Sequence, residues 1–350
     1  MKPIHKIIII SFLIFYFNCN KITDPITVVN EKESISLTYT KAKLDSFLQV
    51  DGVWIAGPET TPCKIIEGGW KSYFSRDGNY IAYYKIDVTD NQYYVKLYLH
   101  DLIKHYNKKL TTIATDGYPS YIISSIQWSH DDKKLAYSAD KSDGVDIYVF
   151  NIETNNEERI TNTNHSIRPA WSYDDRAITC WTLINDQVYK IATVDADGTD
   201  YRLIDINGLV SSPNWLPDGR IIAGIKPGGL ANKEDIIIMN TDGSNIIHLT
   251  DDHNSFFVDL LDNDHIIVTN YPRSDSLYFD ILNIHDKTRE HWFKMDGNFS
   301  FKLSNQRNLI AYLKNLNFSP TSSLYVKNLI TNDEFLLDDN VLDYELSWCD

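Results

Sequence analysis

The sequence predicts an all-β chain folded as a β-propeller of seven four-stranded antiparallel blades with a composite closing blade, six blades being the alternative count. Three observations carry that prediction. The first is composition: 350 residues at 43% hydrophobic, with Tyr 22, Trp 8 and Phe 14 against Met 3, favour strand formers, while Gly 15 and Pro 11 are too few for a low-complexity chain. The second is a four-strand repeat that recurs about every 44 residues. The third is that the chain ends partway through a copy whose missing strands are available near the other end.

The first eighteen residues read as an address. Lys2 and Lys6 precede the apolar stretch Ile7–Phe17, and the chain turns polar at Asn18. Eleven residues at ~1.5 Å each cover about half of a ~30 Å hydrocarbon layer, too short for a membrane-spanning helix and right for an export signal. Small residues are absent before any conventional cut, and Cys19 directly after the stretch resembles the lipobox cysteine of bacterial lipoproteins. Tyr16 and Asn18 depart from that pattern. The resemblance implies a lipid thioether on Cys19, which becomes the mature N-terminus. Residues 19–34 are then a polar tether and 35–350 the propeller. Losing residues 1–18 removes two lysines and no acid, so the formal charge moves from −15 to −17. Such a charge repels phosphate backbones, and nucleic acid is excluded as a partner.

Each copy opens on an aromatic residue or Leu, continues through a polar turn with Asp, and enters an apolar strand. The anchors Phe74, Trp128, Trp171, Trp215, Leu260, Leu303 and Trp348 lie 54, 43, 44, 45, 43 and 45 residues apart. A strand ending in Asp or Asn follows in every full copy, as in Leu97–Asp101, Ile147–Asn151 and Ile236–Asn240. A shorter strand such as Arg202–Ile204 closes the unit. Four strands in 40–45 residues make a propeller blade, which buries its faces only against neighbours. The tight turns carry Asp-Gly or Asp-Asp, where an Asx side chain caps and Gly takes positive φ. The terminal copy holds only its first strand, and Ile35–Thr40 or Leu44–Val50, Val53–Ala56 and Cys63–Ile66 supply the rest. Closure of this kind removes free sheet edges.

The Trp-Ser-x-Asp turns, the Asp197-Gly198 and Asp242-Gly243 turns and the closing x-Leu-Thr resemble the repeats of TolB-type propellers, over about residues 35–350. These are related to the blades that precede the hydrolase domain of prolyl oligopeptidases and to oligogalacturonate lyases. The resemblance specifies fold far more than function. TolB itself has six blades, the source of the alternative count. The hydrolase domain is absent here, so no catalytic residue carries over.

The long loops between second and third strands and between copies open on one face, the default binding surface. Tyr118, Tyr121, His165, Phe256, Tyr271 and Phe318 form a candidate rim there, with His253 nearby, suited to a protein or glycan partner. Packing accounts better for the repeated Trp128, Trp171, Trp215 and Trp348. Asp195-x-Asp197-Gly198-x-Asp200 lacks calcium-loop spacing and reads as a turn. His248 and His253, five apart, are not read as a metal pair, and no elbow, phosphate loop or His-Glu-x-x-His motif occurs. No metal or cofactor is expected. Cys63 and Cys349, three strand spacings or ~14 Å apart, are too distant to bridge, so no disulfide is expected. The expectation is an exported monomer, lipid-anchored at the outer membrane facing periplasm or surface, or else soluble in the periplasm or secreted. It binds a partner without catalysis and touches the membrane only through its lipid. An acidic-channel carbohydrate-active enzyme, a polysaccharide lyase or hydrolase, is the rival.

Overall fold

The computed structural model describes residues 36–42, 50–57, 61–89, 92–114, 126–141, 144–184, 188–206, 208–226, 233–270, 276–296, 300–304, 306–314, 321–342 and 346–349. Every regular element among them is a strand. β1 (Ser36–Ala42), β2 (Val50–Ala56) and β3 (Cys63–Glu67) come first. Five separate four-stranded antiparallel sheets follow. They are β4 (Gly69–Phe74) to β7 (Tyr106–Ala114) through β5 (Tyr80–Thr89) and β6 (Gln92–Asp101), then β8 (Ile126–Trp128), β9 (Lys134–Asp140), β10 (Val145–Asn151) and β11 (Asn156–Arg159). The third comprises β12 (Ser166–Trp171), β13 (Ala177–Ile184), β14 (Val188–Asp195) and β15 (Arg202–Ile204). The fourth comprises β16 (Leu209–Trp215), β17 (Ile221–Lys226), β18 (Asp235–Met239) and β19 (Ile247–His248). The fifth comprises β20 (Ser255–Leu260), β21 (His265–Asn270), β22 (Ser276–Asn283) and β23 (Arg289–Asp296).

The chain ends in β24 (Phe301–Leu303), β25 (Leu309–Lys314), β26 (Thr321–Asn328), β27 (Glu334–Leu342) and β28 (Ser347–Cys349). These join the N-terminal strands in one sheet of order β24-β25-β26-β27-β1-β2-β3, with β28 paired to β1. The last described strand therefore lies beside the first, with Leu37 opposite Trp348, and β1 falls on the Ile35–Thr40 candidate, while residues 44–49 of the other lie outside the described residues. Among the described residues, the backbone pairing of β1 with β27 is Lys41 opposite Val341.

Among the described residues, six buried clusters join facing sides of successive sheets, and a seventh, from Leu37 and Tyr39 to Leu324 and Trp348, lies within the sheet that carries both the first and last strands. One runs from Tyr84 and Leu97 to Trp128, Leu135 and Tyr137. Another joins Val53, Ile55 and Ile66 to Phe74, Ile81 and Tyr83. The second and third strands of each unit alternate or run apolar because both faces are covered, as the wholly buried Ile236, Ile237 and Ile238 of β18 show. The fourth strand is not uniformly short: β7 and β27 span 9 residues each and β23 spans 8.

The expectation of no disulfide is overturned at Cys63, which is disulfide-bonded, its partner lying outside the described side chains. The expectation weighed Cys63 only against Cys349, across three strand spacings. Cys180 is free and buried in β13, where burial pushes its thiol up to about 12.

Candidate binding channel

The turn between first and second strands is built alike in three sheets. Ser75, Ser129 and Ser172 each donate a hydroxyl to the Asp two residues on, at 2.6, 2.7 and 2.7 Å, and accept the amide five residues on at 2.9 Å. The Ser172 hydroxyl, helped by the Arg176 amide and opposed by burial, holds the Asp174 carboxyl below its usual range. The next Asp in the motif serves the neighbouring sheet instead. Asp132, at φ 57°, accepts the amides of Arg76 and Asp77 at 2.8 and 2.9 Å, and Asp175, at φ 56°, accepts those of His130 and Asp131 at 2.7 and 2.9 Å. Gly219 takes the same place in the fourth sheet and offers no carboxylate. In the last copy Arg307 stands there, donating to the Leu260 carbonyl at 3.1 Å and pairing with Asp259 at 3.1 Å.

The tryptophans are staples between sheets. The indole N–H groups of Trp128, Trp171, Trp215 and Trp348 donate to the first-strand carbonyls of Tyr73, Gln127, Ala170 and Lys302 at 3.1, 3.1, 3.1 and 2.9 Å. The packing role read from their repetition holds. First strands also bulge toward the interior: Lys71 at φ 45° and Arg168 at φ 57° donate their amides to Thr40 and Ser138 hydroxyls of the preceding sheet, both at 3.2 Å.

Inside this ring lies a cavity of about 740 Å³ lined by first strands and their turns. Lys71, Arg76 and His130 reach it, as do Tyr173, Asp259, Lys302 and Arg307. Trp171 and Phe301 add aromatic surface. Burial first, and then the Asp259 carboxylate, push the Tyr173 phenol above its usual range, opposed by Arg76 and Arg307. Among the described lining residues four are permanent cations and one is a carboxylate. The arrangement can hold a ligand and offer it charge. Among the described residues no group of three His, Cys, Asp or Glu could hold a metal ion.

Of the candidate rim, only His165 and Phe256 lie among the described residues, and neither lines this cavity. Tyr118, Tyr121, Tyr271 and Phe318 lie outside the described residues, as does Cys19. His165 sits exposed just before β12, bridged to Val145, and Phe256 is half-buried in β20, two sheets away. The loops do share one end of the sheets. Buried Asp146 at the start of β10 accepts the amides of Thr163 and Asn164 at 3.0 Å each, and buried Asp235 at the start of β18 accepts that of His253 at 2.8 Å. The His253 imidazole also meets Asp235 at 2.5 Å, whereas His248 is exposed in β19, so the two histidines form no pair. Asp197 accepts the Thr199 amide and hydroxyl at 3.0 and 2.6 Å in a turn closed by Gly198, as the sequence implied. Sequence reasoning missed Arg76 and Tyr173, which directly follow the Ser of each tight turn, and Asp259 and Lys302 in first strands. Their signal was the residue type at one repeated turn position.

Residues 71–302 match the TolB beta propeller domain. Among solved structures, the chain is similar to TolB from Acinetobacter baumannii at 13% identity and TM-score 0.54, covering 90% of this chain and 66% of that one. It is similar to an oligogalacturonate lyase from Vibrio parahaemolyticus at 13% identity and TM-score 0.59, covering 86% and 84%. It also resembles the acylaminoacyl peptidase of Pyrococcus horikoshii at 16% identity and TM-score 0.60, covering 88% of this chain and only 51% of that one. No curated protein matches the chain. The solved structures share the fold, and with two thirds of its length matched by the domain profile, this chain belongs to the TolB beta propeller family.

Proposed function

We propose that the protein is an exported binding protein of the cell envelope, held to the membrane by lipid on Cys19, that receives its partner at the central channel without catalysing a reaction. The observation that carries this reading is the channel itself. Its framework is tied by Trp indoles and turn carboxylates, while Arg76, Tyr173 and Lys302 line about 740 Å³ of open space. Preformed concavity on a rigid frame is what a receptor needs. The sheet that carries the first and last described strands is read as two blades, β24–β27 and β28-β1-β2-β3, joined by one described backbone pairing, Lys41–Val341, and by bonds from Tyr39 and Lys41 to Asp338. With the five separate sheets this gives seven blades, closed by the termini. Oligogalacturonate lyase and peptidase neighbours keep an enzyme as the rival reading, but no constellation of acid, base and metal ligands among the described residues favours it.

Capture from detergent-solubilised envelope, with the wild-type chain and a Tyr173→Ala variant side by side, tests the reading. A partner retained by the wild type and lost by the variant is expected. Turnover of an acidic polysaccharide by the purified chain would replace it with the enzyme. Labelled lipid should enter the chain and be lost on Cys19→Ser, and a mapped Cys63–Cys19 bridge would contradict the anchor.

A further inference from the structure

The charge of the channel opposes the charge of the chain. Acids outnumber bases 48 to 33 overall, yet the described channel lining holds Lys71, Arg76, Lys302 and Arg307 against Asp259 alone. Arg307 is occupied by Asp259 and the Leu260 carbonyl. Arg76 and Lys302 are exposed, and among the described residues neither side chain makes an ion pair. The cations are also on one side. Lys71 and Arg76 belong to β4 and its turn, and Lys302 to β24, the two first strands that flank β28: Ser347 on β28 accepts the Phe74 amide at 3.0 Å, and Trp348 donates to Lys302. The opposite wall is Ala170, Trp171, Tyr173, Asn214 and Val258, with no cation.

We propose that the channel recognises a small oligocarboxylate, its acid groups against Lys71, Arg76 and Lys302 and its body against Trp171 and Tyr173. This rests on the channel being the receptor site and names the chemistry that site selects. Carboxylates fit better than phosphates. A phosphate cradle needs converging backbone amides, and those of Arg76, Asp77, His130 and Asp131 are already taken by Asp132 and Asp175. What remains are long side-chain cations on β4, on the turn after it and on β24, which suit acid groups spaced along a ligand. Strand addition is likewise disfavoured, because Trp indoles hold the carbonyls of Tyr73, Gln127, Ala170 and Lys302.

Calorimetric titration of the full mature chain with tetraglutamate, with tetraglutamine of equal size, and with tripolyphosphate tests this. Tetraglutamate should bind at least roughly tenfold tighter than tetraglutamine, and Arg76→Ala with Lys302→Ala should weaken it by roughly tenfold or more while near-molar salt suppresses it. Arg176→Ala, a cation outside the channel, should change nothing. If the double alanine variant melts early, Arg76→Gln with Lys302→Gln keeps side-chain bulk and must show the same loss. Equal binding of the two peptides, indifference to the cation changes, tighter binding of tripolyphosphate, or no binding of tetraglutamate each overturns the proposal. Tetraglutamine binding that is lost on Tyr173→Ala would overturn the acid preference and leave the receptor reading standing. Tetraglutamate binding indifferent to both Tyr173→Ala and the cation changes would put the site outside the channel and overturn both.

Discussion

Two stretches of the ring are held by different means. From the β4 sheet to the β12 sheet, each junction combines an indole N–H to a neighbouring carbonyl with a carboxylate that gathers two neighbouring amides. Where the chain ends meet, Trp348 keeps the indole bond, and Ser347 supplies one hydroxyl acceptor in place of a carboxylate. The closing stretch relies instead on β1 lying between β28 and β2 and on buried Leu37, Tyr39 and Trp348. These two repeat junctions are thus stiffened by carboxylates that gather backbone amides, whereas closure combines packing and a strand ladder with Asp338, whose carboxylate meets the Tyr39 hydroxyl and the Lys41 ammonium at 2.6 and 2.7 Å.

The largest effect should come from the staples. Trp171→Ala and Trp348→Ala each remove a buried ring and an indole bond, and each should cost about 3–5 kcal/mol in denaturant unfolding. Only Trp348→Ala should also make the segment around β1 open to limited proteolysis, because β28 covers that strand. Equal protease patterns would mean that closure is no weaker than any other junction. Next comes the clasp: Asp175→Ala strands the amides of His130 and Asp131 and should cost about 1–3 kcal/mol. A loss near zero would show that water replaces the carboxylate.

The smallest effect belongs inside one turn. Ser172→Ala removes the donor to Asp174 and the acceptor for the Ala177 amide, and should cost about 1 kcal/mol near neutral pH. Because the folded Asp174 carboxyl sits below its unfolded value, its contribution is present above about pH 4 and is lost as pH falls through the folded value. The gap between wild type and variant should therefore narrow in acid. A gap that widens would assign the shift to another group.

Much of this architecture is legible in the sequence because the repeat writes each junction several times. The anchor and its Ser-x-Asp turn locate the first strand, and the strand ending in Asp or Asn locates the third. The fourth strand is less legible: β7 and β27 face solvent along one edge, and exposed residues such as Tyr106, Glu334 and Leu336 interrupt the apolar pattern that marks an inner strand. The channel residues are hard to read for a different reason. Loop length and aromatic content point to the face of His165 and Phe256, while the channel residues are single positions within elements already explained as turns and strands. Arg76, His130 and Tyr173 occupy one turn position in three copies, where they differ in charge and ring type and line the cavity. The Cys63 bridge went unread because Cys349 alone was weighed as its partner.

The central claim is that the partner enters the channel at the turns, not at the long-loop face. Placing a photo-crosslinking residue at Tyr173 in one chain and at His165 in another, each in the intact envelope, tests it directly. The Tyr173 probe should give one saturable adduct that excess unlabelled protein competes away, and the His165 probe should give none. An adduct at His165 with none at Tyr173 would contradict the account.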